Sequence, residues 1–142
     1  MKTILTLVAF LLVINASAQT KYLRDKSQIA LLSKKVAALF QENKISESVR
    51  ELTPYWPLPQ NEIESFEEKT IKYLNLYNEN YGPSIESVKI KEESIGEIAF
   101  RETYLVRFKV TAIRLKFTYY KSNDGWILNS FKWDDSFTEE FK

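Results

Sequence analysis

The stretch AFRETYLVRFKVTAIRLKFTYY, residues 99–120, decides the fold of this chain. Its first half places apolar residues and one glutamate at alternate positions: Phe100, Glu102, Tyr104, Val106, Phe108 and Val110. The alternation resumes in the second half at Ile113, Leu115, Phe117 and Tyr119. Because successive side chains of a strand point to opposite faces, this period of two predicts two β-strands that each bury one face.

Two further strands are predicted on either side of this pair. Upstream, Val88 and Ile90 alternate with lysines before a turn at Gly96. Downstream, Ser122-Asn123-Asp124-Gly125 is typical of a hairpin turn, and a strand from Trp126 to Trp133 follows it. Four successive strands joined by short turns predict an antiparallel meander.

The residues before the sheet repeat their apolar positions every three or four places, which is typical of helices. A first helix is predicted over residues 26–42, opened by a capping pair of Asp25 and Gln28. A second, shorter helix is predicted over residues 45–52. Pro54 ends it, since proline cannot continue the backbone hydrogen bonding of a helix.

A stiff connection, Pro54–Pro59 (PYWPLP), leads to a third helix. We expect Asn61 to cap that helix and Gly82-Pro83 to end it, while the acidic tail from Asp134 forms one helical turn. The prediction is an α+β fold with the helices packed on a curved four-stranded antiparallel sheet. The opposite face of the sheet is expected to meet water.

The first 18 residues are predicted to be a cleavable secretory signal peptide. Lys2 supplies a positive start, Ile4–Ile14 is a short apolar run, and Ala16-Ser17-Ala18 places small residues before the cut. The run is shorter than the roughly 20 apolar residues of a spanning helix, and no later segment is apolar enough to span. We therefore expect one soluble α+β domain over residues 19–142, exported to a periplasm or secreted.

Composition excludes several classes of site. The chain has no cysteine, so we expect neither a lipoprotein anchor nor a disulfide. It has no histidine, which excludes Ser-His-Asp triads and nearly every zinc or copper site. Without Lys2 the chain carries 19 basic and 19 acidic residues, and such a neutral domain is a poor candidate for binding nucleic acid. We expect no cofactor and no metal.

Two sequence patterns resemble a known group of folds. The closing pattern Phe117–Lys121 followed by Asp124–Asn129, and Pro54–Pro59 followed by Asn61-Glu62-Ile63, are similar to small exported bacterial proteins of the cystatin and NTF2-like folds. The resemblance covers about residues 28–133. It implies helices laid into a strongly bent sheet. Some NTF2-like members are isomerases or dehydratases that work in a conical pocket with Asp, Tyr or His.

Basic residues are predicted to gather on the water-facing side of the sheet, where an anionic ligand, an acidic partner or a lipid surface could dock. The set is Lys89, Lys91, Arg101, Arg107, Lys109, Arg114 and Lys116. The alternative is a solvated face that discourages edge pairing. Residues 83–133 hold nine basic and six acidic residues, whereas the tail from Asp134 holds one basic and four acidic.

Aromatic residues provide the second candidate site, a ligand pocket between helices and sheet. The set is Tyr55, Trp56, Tyr77, Tyr81, Tyr104, Tyr119 and Trp126. Flat rings with a hydrogen-bonding edge suit sugars or small apolar ligands. The same residues lie at core-facing positions, so ordinary packing is the alternative. Trp133 lies an odd number of positions after Trp126, so on a regular strand it faces the opposite side and is expected at the surface.

The adjacent carboxylates Glu92-Glu93, Asp134-Asp135 and Glu139-Glu140 provide a third candidate. Neighbouring residues of a strand face opposite ways, and those of a tail are expected to be solvated, so neither arrangement is that of a glycosidase. We expect these pairs to be solvated charges.

The sequence leaves three hypotheses for function. The first is non-catalytic binding of a small ligand or a protein partner. The second is an NTF2-like enzyme that uses a buried carboxylate beside a tyrosine, for which Glu102 is the residue to inspect, because burial raises a carboxyl pKa toward that of a working base. The third is an accessory subunit with an exposed apolar patch.

Overall fold

The structure is a computed structural model and describes residues 20–142. The predicted signal peptide lies outside the described residues. Three helices precede four strands, and two short 3₁₀ turns complete the elements: Lys26–Gln41 (α1), Ile45–Leu52 (α2), the turn Thr53–Tyr55, Gln60–Tyr81 (α3), Glu86–Ile95 (β1), Ala99–Arg107 (β2), Ala112–Ser122 (β3), Gly125–Asp134 (β4) and the turn Phe137–Glu140. The predicted α+β class is confirmed.

Helix α1 begins at the predicted capping pair. The Asp25 side chain accepts a hydrogen bond from the Gln28 backbone N–H at 3.0 Å, and the Gln28 side chain accepts one from the Arg24 N–H at 2.8 Å. The first bond satisfies a backbone donor that the helix leaves unpaired, and the second ties the residue before the cap to the first turn. The buried face of α1 includes Ile29, Val36 and Phe40.

Helix α3 begins at Gln60, two residues before the start that an Asn61 cap would give, and Asn61 does not cap it. Pro59 holds the position before the helix, without a side-chain hydrogen bond. Its carbonyl accepts from the N–H groups of Glu62 and Ile63 instead. The fixed φ of proline sets the chain direction into the first turn, so a polar cap is not required there.

The four strands form one antiparallel sheet in the order β1-β2-β3-β4, which is the predicted meander. A bulge at Ile90 interrupts the pairing of β1 with β2, because Lys89 opposes Tyr104 while Lys91 opposes Thr103. Directly opposed residues share a face, and the extra residue shifts the alternation by one. Lys89 therefore lies on the helix side of the sheet and Lys91 on the outer side.

A second bulge at Asn129 shifts the alternation of β4. Tyr119 opposes Leu128, and Leu115 opposes Trp133, so Trp133 shares the helix-facing side. Its indole N–H donates to Thr70 Oγ1 at 3.0 Å. The expectation of a surface-lying Trp133 is wrong, since one inserted residue carries it into the core.

Strand β2 ends at Arg107, earlier than the alternation suggests. The Phe108 N–H donates to the Thr111 carbonyl at 2.9 Å and closes a turn. Val110 lies in that turn with 75% of its surface exposed. Turn closure thus overrides the apolar pattern at Val110.

The core lies between the helices and the inner face of the sheet. Edge-to-face and tilted aromatic pairs connect the layers, with Phe131 of β4 in contact with Phe40, Trp56, Phe66 and Phe117. Such pairs add about 0.5–1.5 kcal/mol each to the burial of their apolar area.

Candidate functional site

The aromatic residues singled out in the sequence lie in separate parts of the molecule. Tyr104 packs edge-on against Phe117 inside the core. Tyr77 stacks on Tyr81 at 4.6 Å between ring centroids, at the far end of α3. Trp126 pairs with Leu23 through two backbone hydrogen bonds of 2.8 Å. Tyr55 packs half-buried against the core, and Tyr119 is buried. Of the set, only Trp56 lines the larger cavity.

That cavity is a groove of about 1040 Å³, open to solvent, between α2 and the start of α3. Its size is at the upper end of small-molecule sites, which span about 300–1000 Å³. We call it the α2–α3 groove, and its lining is Thr20, Lys21, Ser46, Val49, Arg50, Thr53, Pro54, Trp56, Pro57, Leu58, Gln60, Ile63 and Glu67.

The proline-rich connection shapes one wall of this groove. The Trp56 N–H donates to Thr53 at 3.2 Å, and the Leu58 N–H donates to Trp56 at 2.8 Å. The Lys21 N–H donates to the Pro54 carbonyl at 2.8 Å and fixes the chain before α1 against the same wall. Backbone bonds and prolines thus hold the wall in one conformation before any ligand arrives.

The floor of the groove is apolar. Val49, Trp56 and Ile63 are buried lining residues. The Trp56 ring packs edge-on against Phe66, with 5.5 Å between centroids. Its indole Nε1 is itself buried and has no hydrogen-bond partner within residues 20–142. The floor therefore offers a ligand apolar contact rather than an exposed donor.

Charges lie at the rim. Lys21 and Arg50 are exposed lining residues, and neither forms an ion pair with another residue in the part of the chain that the structure describes. Glu67 is the acidic lining residue. The groove can therefore accept a molecule with an apolar body and an anionic group.

Glu102 lies on the inner face of β2 with none of its side chain exposed. Its Oε2 is 3.3 Å from Lys89 Nζ, which also contacts Glu92. Its Oε1 finds no partner among the described residues. Neither the α2–α3 groove nor the smaller cavity beside Asn61 is lined by Glu102.

Two tyrosines near Glu102 are held in their protonated form. Burial, and then the Glu102 charge, raise the pKa of Tyr104 to about 12. Burial likewise raises the pKa of Tyr119, although its hydrogen bond with Ser33 Oγ at 2.7 Å opposes the rise. The inner face thus combines a buried carboxylate with two phenols that stay protonated at neutral pH.

The predicted basic face divides into separate parts. Lys89 lies on the inner side, and Lys109 lies in the exposed turn after β2. Arg101 donates to Thr118 Oγ1 at 2.9 Å, and Arg107 pairs with Glu86. The remaining three, Lys91, Arg114 and Lys116, converge on Glu140 of the tail. The seven residues do not form one open surface.

The acidic tail, expected to be solvated, is ion-paired. Arg114 donates to Asp134 through two nitrogens at 3.0 and 2.6 Å, to Glu139 at 3.0 Å and to Glu140 at 2.8 Å. Burial alone would raise the pKa of Asp134, but these bonds hold it below its usual value. Glu92 and Glu93 oppose Glu102 and Arg101, so they point to opposite faces as predicted.

Two general properties bear on any function. No helix within residues 20–142 has the length and apolarity needed to cross a membrane. Within the same residues, no three carboxylates are grouped so that they could hold a metal ion. Comparison with protein-family models, with curated proteins and with solved structures found no match to this chain.

Proposed function

We propose that this chain is an exported, non-catalytic domain that binds a small amphipathic ligand in the α2–α3 groove. The observation that carries the proposal is a preformed apolar floor of Val49, Trp56 and Ile63 in a groove whose lining also holds two exposed cations without ion-pair partners among the described residues, Lys21 and Arg50. Export rests on the signal-peptide pattern of residues 1–18. A cystatin or NTF2-like fold agrees with the helix-then-sheet order and stays part of the proposal.

The ligand class follows from the lining. The apolar side chains of Val49, Leu58 and Ile63 favour a hydrocarbon body. Two cations against one carboxylate favour an anionic head. A medium-chain carboxylate has both features.

Titration calorimetry with decanoate and with decanol tests the proposal. The wild type is expected to bind decanoate saturably and more tightly than decanol. Arg50→Ala is expected to weaken decanoate binding about 2- to 5-fold, as for an exposed ion pair, without changing decanol binding. Leu58→Asp is expected to weaken both, because it places a charge on the apolar wall.

Lys72→Ala is the matched control, since Lys72 is an exposed helical cation that does not line the groove. Absence of saturable binding to the wild type, or an equal effect of Arg50→Ala and Lys72→Ala, would contradict the proposal.

The second candidate is an enzyme of the isomerase or dehydratase type. Glu102 favours it, because a fully buried carboxylate with one unpartnered oxygen lies beside two tyrosines. Chemical conversion of a ligand recovered with the purified protein tests this candidate. Turnover by the wild type but not by Glu102→Gln would favour the enzyme, and recovery of unchanged ligand from both would exclude it.

A further inference from the structure

The outer face of the sheet carries a cluster of cations that does not line the α2–α3 groove. Lys91 of β1 and Lys116 of β3 both oppose Thr103 of β2, so the two lysines flank that residue on one face. Their ammonium groups lie 2.7 and 3.2 Å from the Glu140 carboxylate. Arg114 Nη1 binds the same carboxylate at 2.8 Å. Three cations from two strands thus surround one carboxylate.

The position beneath this carboxylate is closed and incompletely bonded. Thr103 has no exposed surface, although it lies on the face opposite the helices. Its hydroxyl finds no hydrogen-bond partner within residues 20–142. A buried hydroxyl donor that the described residues leave unpaired thus lies between the two lysines that bind Glu140.

The tail is attached to the sheet mainly through charge. The backbone hydrogen bonds of the turn Phe137–Glu140 are internal, from Glu139 to Ser136 and from Phe141 to Thr138. No backbone hydrogen bond joins it to the sheet within the described residues. Phe141 is exposed rather than packed. Displacement of the tail therefore has to break its ion pairs, and an incoming carboxylate can replace them at the same cations.

We propose that Lys91, Arg114 and Lys116 form a docking site for an acidic peptide segment of a partner protein, and that the chain's own Glu139-Glu140 occupies it as a competing internal ligand. Charge complementarity and the carboxylate already seated there identify the occupant. Because the tail is tethered, its effective concentration is in the millimolar range for a short flexible link. An external acidic peptide must displace the tail, so the apparent affinity of the intact chain for that peptide is reduced.

Fluorescence anisotropy with two labelled peptides tests this proposal. One has the sequence of residues 134–142, DDSFTEEFK, and the other carries glutamine at both tail glutamates. Glu139→Gln/Glu140→Gln in the full chain is expected to bind the acidic peptide at least about 10-fold more tightly than the wild type, because the internal competitor is removed. Adding Lys91→Gln/Lys116→Gln is expected to abolish that gain.

Glu68→Gln/Glu79→Gln is the matched control, since it makes the same change in net charge on α3, away from the outer sheet face. Equal binding by this control and by Glu139→Gln/Glu140→Gln would overturn the proposal, as would equal binding of the two peptides. Tighter binding to phosphatidylglycerol vesicles than to the acidic peptide would assign the face to membranes and also overturn it.

A second variant keeps the test valid if the glutamine pair fails to fold. A chain ending at Ser136 retains Asp134, which continues to pair with Arg114. It is expected to show the same gain in affinity. Loss of the acidic peptide's affinity in this folded truncated chain would contradict the proposal.

Discussion

At the residue scale, the two buried charged side chains among the described residues, Glu102 and Arg114, each have a partner of opposite charge. Arg114 is almost fully buried on the outer side of β3, and three carboxylates surround it. Glu102 is fully buried on the inner side of β2 with one cation, Lys89, as its partner. A buried charge that loses its partner is more costly than the pair is favourable. These two residues therefore respond most strongly to substitution.

Lys89→Met is expected to destabilise the fold by about 1–3 kcal/mol, because Glu102 then stays buried without its cation. Adding Glu102→Gln is expected to recover most of the loss, since the neutral amide needs no counter-charge. Urea unfolding of the two variants measures the difference. If the double variant were no more stable than Lys89→Met, the pairing would not be the cause.

The Glu140 carboxylate is expected to make the free energy of unfolding depend on pH in the acidic range. The hydrogen bond from Lys91 lowers its pKa to about 2 from an ordinary value of 4.5. Below pH 4.5 the unfolded chain therefore binds a proton more readily than the folded chain. The stabilisation is present above pH 4.5 and is lost as the pH falls toward 2. Urea unfolding at pH 5 and pH 3 is expected to show a smaller decrease for Glu140→Gln than for the wild type.

At the scale of elements, the hairpin between β3 and β4 is tied to the chain before α1. Gly125 has φ 135°, and a Cβ there would lie 2.8 Å from the Leu23 carbonyl oxygen. The glycine thus permits the Leu23–Trp126 bridge. That bridge also positions Lys21, two residues earlier, against the α2–α3 groove.

Gly125→Ala is expected to cost about 1–3 kcal/mol and to speed amide exchange at Leu23 and Trp126, because the backbone must shift to relieve the contact. Gly96→Ala is the control, since it also has a positive φ but nothing within 4 Å of its Cβ position. Hydrogen exchange followed by NMR measures both. Equal effects of the two substitutions would show that the contact with Leu23 does not matter.

The elements themselves were largely predictable, and their orientation was not. Alternation over residues 99–120 identified β2 and β3, because burial of one face imposes a period of two. The bulges at Ile90 and Asn129 have no comparable sequence signal, and each reversed the expected face of one residue, Lys89 of the basic set and Trp133. A single inserted residue reverses every later side chain of a strand.

At the scale of the whole molecule, both candidate sites combine residues that are distant in sequence. Trp56 was singled out from its proline-rich context, whereas Val49 and Ile63 join it through packing of α2 on α3, and Lys21 through its backbone hydrogen bond to Pro54. The tail site had a signal, since an excess of bases in residues 83–133 precedes an acidic tail. The net charges of the two segments predict that they attract each other, but they do not predict which side chains form the ion pairs.

The export proposal predicts the mature N-terminus. Expression in a bacterial host with a secretory pathway is expected to yield a chain that begins at Gln19, because Ala16-Ser17-Ala18 forms the cleavage signal. Intact mass and N-terminal sequencing measure this directly. A mature protein that retains Met1 would contradict export.

Binding in the α2–α3 groove is the central claim, and chemical-shift mapping of decanoate on the ¹⁵N-labelled chain tests it most directly. We predict that the resonances of the Trp56 indole N–H and of the Val49 and Ile63 amides shift together and saturate, because these three residues line one groove. The Trp133 indole N–H, which already donates a hydrogen bond to Thr70, is expected to keep its chemical shift. Shifts confined to Glu102 and Tyr104, or no saturable shift at Trp56, would contradict the claim.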